Sequence, residues 1–450
     1  PNPPMAAKFR GQDINEGDFF TALEREMDKI DKFTHEKLSE IKTKIDALVE
    51  RVANAASGAD HMSEEDRNAA TAEAKELGDS FLHIEKFANL NYLGFHKILK
   101  KHDKQLPATP CKRFYITRLH QQRWIQQDYS QLFVNLSKVH SMLRGETGLR
   151  AKGLSVVNSG VASTTQLYWV RVENISKIKH FVLQHLPLEA RDGAADSLLC
   201  STVFFDNTQL ELYHGRLEKA VQAPEIRVRW FDTEEPDQKV YIEKKIHVDG
   251  WNGDETTLRG ISVQAYQVMP FIRGEYTVEH FARDLRTDGV PDEEIQAASA
   301  TFEELYREID AKQVEPKLRV VNKRVCFASP KEDSIRVVLN TGISMRLESP
   351  RDGPDCFQEG RWHRNPKKPL PASEITNFPH AVLEIRMRHE PGGEAPPPPA
   401  WVADLVSTGL LTHVHKFCKF MHGCAALLPE DVQTLPYWID DETIQPSIVA

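Results

Sequence analysis

Long apolar runs are missing from this chain. No stretch approaches the ~20 consecutive apolar residues that a bilayer-spanning helix requires, and 27% of the residues are charged. With no recognisable signal peptide either, the sequence predicts a soluble chain, and its PNPPM start is expected to be that of a fragment. Cysteine is sparse: Cys111, Cys200, Cys326, Cys356, Cys418 and Cys424 are scattered and form no CxxC pair. Their spacing suggests neither a zinc site nor a disulfide framework and fits a reducing compartment. Excess positive charge is absent too, since the formal net charge is -9. A general nucleic-acid binder is usually basic overall, so no nucleic-acid partner is expected, and any anion site must be a local concentration of Lys and Arg. Internal repeats are also absent.

The chain does contain, first, a helical third. Segment 18–51 carries Phe19, Leu23, Met27, Ile30, Phe33, Leu38, Ile41, Ile45 and Leu48 as one amphipathic stripe, uninterrupted by Gly or Pro. The polar stretch NAASGADHMSEED precedes a second helix over about 64–103, and the breaker LPATP precedes a third over about 116–144. Long helices on short links predict a bundle over 1–145. Residues 146–162, rich in Gly and Ser, predict an interdomain linker. Beyond them the texture changes to short strands, in STVFFD, EIRVRWFD, KVYIEKKIHV, SIRVVLNT and AVLEIRMR. Helical patterns fall at about 172–185, 276–313 and 401–427, with a loop at PGGEAPPPP and a tail at 441–450.

In NLNYLGFHKILKKHDK, residues 89–104, Lys97, Lys100, Lys101 and Lys104 fall at i, i+3, i+4 and i+7 on one helix face. Leu93, Phe95, Ile98 and Leu99 are the expected packing residues. Four ammonium groups side by side are either a solvated face or a polyanion site. The stretch EKFANLNYLGFHKILKKHDK resembles the signature helix of SPX domains, and DFFTALEREMDKIDKFTHEKLSEI resembles that family's first long core helix. The resemblance, over about 13–145, implies a helical bundle that senses inositol pyrophosphates through Lys97, Lys100, Lys101 and Lys104. The family's N-terminal helical hairpin would lie before residue 13 and is expected to be missing.

The strands carry charge where a core-forming sheet needs none. Alternation places Arg227 and Arg229 on one face of EIRVRW; Glu243, Lys245 and His247 on one face of VYIEKKIH; Arg336 and Asn340 on one face of IRVVLN; and Glu384, Arg386 and Arg388 on one face of VLEIRMR. Arg324 lies in NKRVCF, just upstream of a turn. Two carboxylates, Glu243 and Glu384, stand among these bases. An open sheet would leave such faces in water. A closed barrel would turn them inward, into a basic lumen that needs an anion. Guanidinium forks suit phosphate oxygens, and a carboxylate among them suits a divalent metal bridging phosphates.

TTQLYWV, TVFFDNTQLELYHGRL, IRVRWF, YIEKKIH, FPHAVLEIRMR, HKFCKFMHG and LPYWIDD resemble, in order across about 163–440, the VTC (vacuolar transporter chaperone) domain. The resemblance implies an α+β chain: a partial SPX helical bundle followed by a triphosphate-tunnel antiparallel β-barrel with outer helices over 163–440. It further implies synthesis of inorganic polyphosphate from ATP. By position, Arg227, Arg229, Lys245, Arg324 and Arg336 match tunnel bases that grip phosphates, and Lys416 and Lys419 match helix lysines, Lys419 nearest the reacting phosphate. Glu384 matches the glutamate that holds Mn²⁺ or Mg²⁺. Cys418 stands where the polymerase often has Ser. Leu167 and Leu258 replace basic residues of the family polymerase, and a one-residue slip would send Arg259 to the opposite face.

Three alternatives stay open. A non-catalytic accessory VTC subunit would bind polyphosphate in the same tunnel. A triphosphate hydrolase would want more carboxylates, and a pure interaction module would leave the strand arginines unexplained. The resemblance implies ATP, polyphosphate, inositol pyrophosphates and other VTC subunits as partners. It also implies the cytosolic face of a vacuolar or acidocalcisomal membrane, reached through partners or a missing C-terminal segment.

Overall fold

The structure, a computed structural model, describes residues 7–9, 12–14, 16–57, 62–146, 162–189, 196–218, 223–236, 238–250, 253–329, 334–351, 356–389 and 397–440. The chain divides into two units, Pro1–Thr147 and Gly148–Ala450. Most of the expected linker 146–162, part of the loop 391–399 and the tail 441–450 lie outside the described residues.

The first unit is built on two 42-residue helices, α1 (Glu16–Ser57) and α2 (Glu64–Gln105). Ser63 starts α2: its Oγ accepts the Asp66 N–H at 3.0 Å, satisfying one of the orphan donors of the first turn. Leu23, Met27, Ile30, Leu38, Ile41, Ile45 and Leu48 are buried as the stripe predicts, whereas Phe33 is exposed. The expected third helix is broken. It forms α3 (Lys112–His120), a single turn at Arg123–Gln126 and α4 (Ser130–Leu143). At the break Asp128 accepts the Ser130 N–H at 2.9 Å and its hydroxyl at 2.6 Å, a local side-chain turn that competes with helical bonding just before α4. On α2 the core stripe runs through Phe81, Ala88, Phe95, Leu99 and His102. Leu93 and Ile98 fall off that stripe and are exposed, contrary to their expected packing role.

In the second unit we number eight strands: β1 (Ala162–Val170), β2 (Leu198–Asp206), β3 (Ala223–Phe231), β4 (Lys239–Gly250), β5 (Gly253–Gln264), β6 (Glu315–Ala328), β7 (Ile335–Leu347) and β8 (Ala381–His389). Each hydrogen-bonds two neighbours, all antiparallel, in the order β7-β8-β1-β5-β4-β3-β2-β6, and β6 pairs back onto β7. The pairing therefore returns to its start, and each strand has one face inside the ring and one outside. The outside faces of β2 to β5 are apolar: Val203, Phe205, Ile226, Val228, Trp230, Val240, Ile242, Ile261 and Val263 form a core with Phe302, Leu305 and Ile309 of α5 (Asp292–Lys312). The pattern at 276–313 resolves into two helices, Val278–Thr287 and α5, because Gly289 turns with φ +77° and Pro291 follows.

Along β2 and β6 the inward residues change from polar to apolar. Phe204, Leu318 and Val320 join a core with Phe420, Met421 and Cys424 of α6 (Lys419–Leu427). The approach is close: a Cβ at Gly423 would lie 2.4 Å from Leu318 Cδ2. This seat fixes where α6 begins, and its first residue is Lys419.

Candidate functional site: a basic cavity inside the strand ring

Strand alternation does the positioning. From β3, Glu225, Arg227 and Arg229 point inward; opposite them in register stand Lys245, Glu243 and Tyr241 of β4. β6 adds Asn322 and Arg324, β8 adds Glu384 and Arg386, β1 adds Thr165 and Leu167, and the start of α6 adds Lys419. Seven cationic side chains (Arg216, Arg227, Arg229, Lys245, Arg324, Arg386 and Lys419) and two carboxylates, Glu225 and Glu384, line one cavity; with Glu243, fully buried behind the wall against Arg227 and Arg229, the excess is four positive charges. His247 also lines it and is held neutral: burial, then Lys245 and Arg216, push its pKa well below the ordinary value.

The carboxylates organise the bases. Glu243 has no solvent exposure; its Oε2 accepts Arg227 Nε at 2.6 Å and lies 3.1 Å from Arg229 Nη2. Glu225 accepts Arg227 Nη1 at 2.6 Å. Glu384 accepts Arg386 Nη2 through one oxygen and Asn340 Nδ2, at 3.0 Å, through the other, which also sits 3.5 Å from Lys419 Nζ. Arg324 donates to Asn340 Oδ1 at 3.2 Å. Some donors remain unspent, for Nε of Arg229 and of Arg324 are buried without a hydrogen-bond partner.

Burial and charge crowding lower the pKa of a base and of an acid here for different reasons. Burial lowers Lys245 to about 8, helped by Arg386 and Arg227 against the pull of Glu225. Burial and then Arg227 lower Arg229 to about 10. Burial acts against Glu384 too, but Arg386, Lys419, Arg324 and Lys245 outweigh it and hold the carboxyl well below its ordinary range. Glu384 is therefore an ionised carboxylate in a cationic wall. It has two oxygens and about four lone-pair sites, so it retains capacity for a cation. One carboxylate plus substrate phosphates is a usual environment for Mg²⁺ and similar hard cations. The residues present fit such an ion, with Glu384 as its protein ligand.

Of the residues singled out in the sequence, Arg227, Arg229, Lys245, Arg324, Glu384 and Lys419 meet in this cavity. Arg336 does not line it: the residue is on the inward face, opposite Arg386, but its guanidinium is ion-paired with Glu189. Lys416 does not line it either and is not helical. It lies before α6 with φ +59°, a left-handed conformation. Leu167 does line it, directly opposite Glu384 in register. Leu258 stands opposite Lys245, and Arg259 stands opposite Lys244, on the outer face, where it bonds Glu304 of α5 at 2.6 Å. Sequence reasoning missed Glu225, which makes three carboxylates rather than two, and gave Arg386 no role. Glu225 begins the same i, i+2, i+4 series as Arg227 and Arg229, and that period was signal enough to find it. Lys97, Lys100, Lys101 and Lys104 are all exposed on α2, and none forms an ion pair among the described residues.

A family model described as "VTC domain" matches residues 163–428. The chain is 31% identical over 442 residues to "Vacuolar transporter chaperone complex subunit 4" of Schizosaccharomyces pombe, covering 94% of this chain and 60% of that protein. It is 25% identical over 509 residues to "Vacuolar transporter chaperone complex subunit 2" of Saccharomyces cerevisiae, covering 96% of this chain and 61% of that one. A subunit 4 of Trypanosoma brucei brucei matches at 25% identity over 69% of this chain and 41% of its own length. The chain thus spans about 60% of the length of the first two relatives. A solved structure, the PH1819 protein from Pyrococcus horikoshii OT3, covers 60% of this chain at 9% identity with a TM-score of 0.26, too low to bear on the fold. Among the described residues no helix is long and apolar enough to cross a membrane. The matched span holds nearly the whole strand ring and the cavity inside it, and the chain belongs to the VTC-domain family.

Proposed function

We propose that this chain synthesises inorganic polyphosphate from ATP inside the strand ring, which we read as a triphosphate-tunnel barrel. The observation that carries the reading is the enclosed excess of four positive charges, with the buried Glu243 counted among the carboxylates. Buried cations without matching anions are costly unless a polyanion completes them, and a phosphate chain supplies several negative charges in a row. Arg227, Arg229, Lys245 and Arg324 bind and orient the phosphates, with Arg386 beside Glu384. Lys419 stands at the reacting phosphate. A terminal oxygen of the growing chain attacks the γ-phosphorus of ATP in line. The new P–O bond forms as the bond from that phosphorus to the β,γ-bridging oxygen breaks, and ADP leaves. Positioning and charge stabilisation account for most catalysis in this reaction class. Glu384 would hold Mn²⁺ or Mg²⁺, which when bound neutralises charge on the phosphate oxygens.

In the same reading the exposed lysine face of Lys97, Lys100, Lys101 and Lys104 binds inositol pyrophosphates as an SPX domain does and regulates synthesis. The partners are other VTC subunits, consistent with the names of the relatives, at the cytosolic face of a vacuolar or acidocalcisomal membrane.

A second reading rests on a specific observation. Leu167 puts an apolar side chain into the cavity wall opposite Glu384, where a catalytic site gains from another base. An accessory subunit would bind polyphosphate here without making it. The purified chain incubated with ATP and Mn²⁺ separates the two: formation of a phosphate polymer is expected, lost in Glu384→Gln and Arg227→Ala. ATP binding by the wild type with no polymer formed would replace synthesis by the accessory role.

A further inference from the structure

Where α2 gives way to α3, three different donor atoms converge. His102 Nδ1 lies 3.2 Å from Asp103 Oδ1 and 3.2 Å from Cys111 Sγ, and all three side chains offer a ligand atom within 4.8 Å of one another. Two come from the last turn of α2 and the third from the cap position of α3, across the LPATP loop. Zinc bonds of 2.0–2.3 Å to N, O and S place tetrahedral ligands roughly 3.3–3.7 Å apart, so the two distances from His102 Nδ1 stand near two edges of such a tetrahedron. The other imidazole nitrogen strengthens the case. His102 Nε2 is buried, makes no hydrogen bond, and sits 3.4 Å from Glu16 Oε1. A carboxylate beside the non-ligating nitrogen is the usual outer partner of a metal-bound histidine. Phe19 stacks on the ring at 4.8 Å and fixes its plane.

Asp103 has a competing duty, since its oxygens accept the backbone N–H groups of Cys111, at 2.8 Å, and Lys112, at 3.1 Å. Oδ1, the oxygen nearest His102, takes the Cys111 bond and a longer one from Lys112 at 3.3 Å, so of the carboxylate's about four lone-pair sites the freer ones are on Oδ2, and a metal would bind there or displace the longer Lys112 contact. A metal-free pair, Cys111 Sγ–H to Nδ1 with the Nε2 proton facing Glu16, would use the same atoms; it differs from the metal site in keeping a thiol where the metal takes a thiolate, and that difference is what the experiment reads.

From this geometry we propose that His102, Asp103 and Cys111 form a binding site for a tetrahedral divalent transition metal, zinc above all, with the fourth position open to water. The metal would close the LPATP loop, tying the lysine-bearing end of α2 to α3. The site is separate from the cavity of the strand ring and does not depend on the function proposed for it.

The experiment uses the purified full chain, stripped with a chelator and titrated with Co²⁺ and then Zn²⁺. One equivalent of Co²⁺ is expected to give a thiolate-to-metal absorption band with visible bands of tetrahedral intensity, which Zn²⁺ bleaches. Zn²⁺ is also expected to raise the thermal midpoint. Cys111→Ser, a conservative change, should remove the thiolate band while circular dichroism stays that of the wild type. His102→Gln should weaken Zn²⁺ binding at least tenfold. Absence of the band from folded wild type, or its persistence at full intensity in Cys111→Ser through another cysteine, overturns the proposal.

Discussion

Glu243→Gln tests the cavity's electrostatics most directly. The side chain is isosteric, so packing is kept and only the charge is lost. Glu243 is fully buried and holds Arg227 and Arg229, which are 8% and 7% exposed, through one oxygen. Removing one partner of a buried ion pair costs about 3–5 kcal/mol, because the remaining charges stay desolvated. For a unit of this size about 1 kcal/mol moves the thermal midpoint by about 2 °C, so the ligand-free variant should melt about 6–10 °C lower. Burial alone would raise the Glu243 pKa, but Arg229 and Arg227 outweigh it and hold the group below 4.5. A carboxylate with a depressed folded pKa stabilises above its unfolded pKa and loses that contribution as pH falls through the folded one. The gap between wild type and variant should thus be full at pH 7 and close only below pH 4.5. A polyanion replaces the missing charge, so saturating tripolyphosphate should raise the variant's midpoint by more than it raises the wild type's. Scanning calorimetry with and without tripolyphosphate reads both effects. A ligand-free variant within 2 °C of wild type, or a larger tripolyphosphate shift for the wild type, would refute the reasoning.

Lys245→Met should weaken tripolyphosphate binding by roughly ten- to a hundredfold at pH 7, as expected for one charge-assisted contact of about 1.5–3 kcal/mol, measured by titration calorimetry. Lys245 titrates at about 8 in the fold against 10.5 ordinarily, so its charge costs stability below about 8, and that cost fades as pH rises from there towards 10.5. The affinity advantage of wild type over Lys245→Met should therefore shrink as pH passes about 8, and a pH-independent difference would mean the lysine is not crowded as described. Arg259→Ala removes an exposed outer pair with Glu304 worth under about 1 kcal/mol. It should leave tripolyphosphate affinity within twofold, and a tenfold loss would show that the β4–β5 register is wrong.

Much of the site was legible because strand alternation is local. A residue's neighbours two positions away share its face whatever the sheet does next, which is why the inward set Arg227, Arg229, Glu243, Lys245, Glu384 and the outward turn of Arg259 followed from spacing. Lys416 and Lys419 were harder. Their segment has no periodicity to read, because Lys416 is itself left-handed, φ +59°, and lies outside α6, while Lys419 begins it. Arg336 has the right parity, yet Glu189, 147 positions away in sequence, claims its guanidinium.

By itself the sequence determined which side chains share a face, where the long helices run, and through its motifs the family. Only the tertiary structure decided that β2 pairs with β6 and β8 with β1, so that the charged faces enclose a cavity rather than line an open sheet. It also decided that α6 delivers Lys419 to Glu384, and that His102 and Asp103 meet Cys111. The reason is physical. Periodicity records the environment of each strand or helix separately, while closure of a ring and meeting across a loop depend on which distant edges find each other. That choice is set by the sum of many non-local contacts and is written in no single segment.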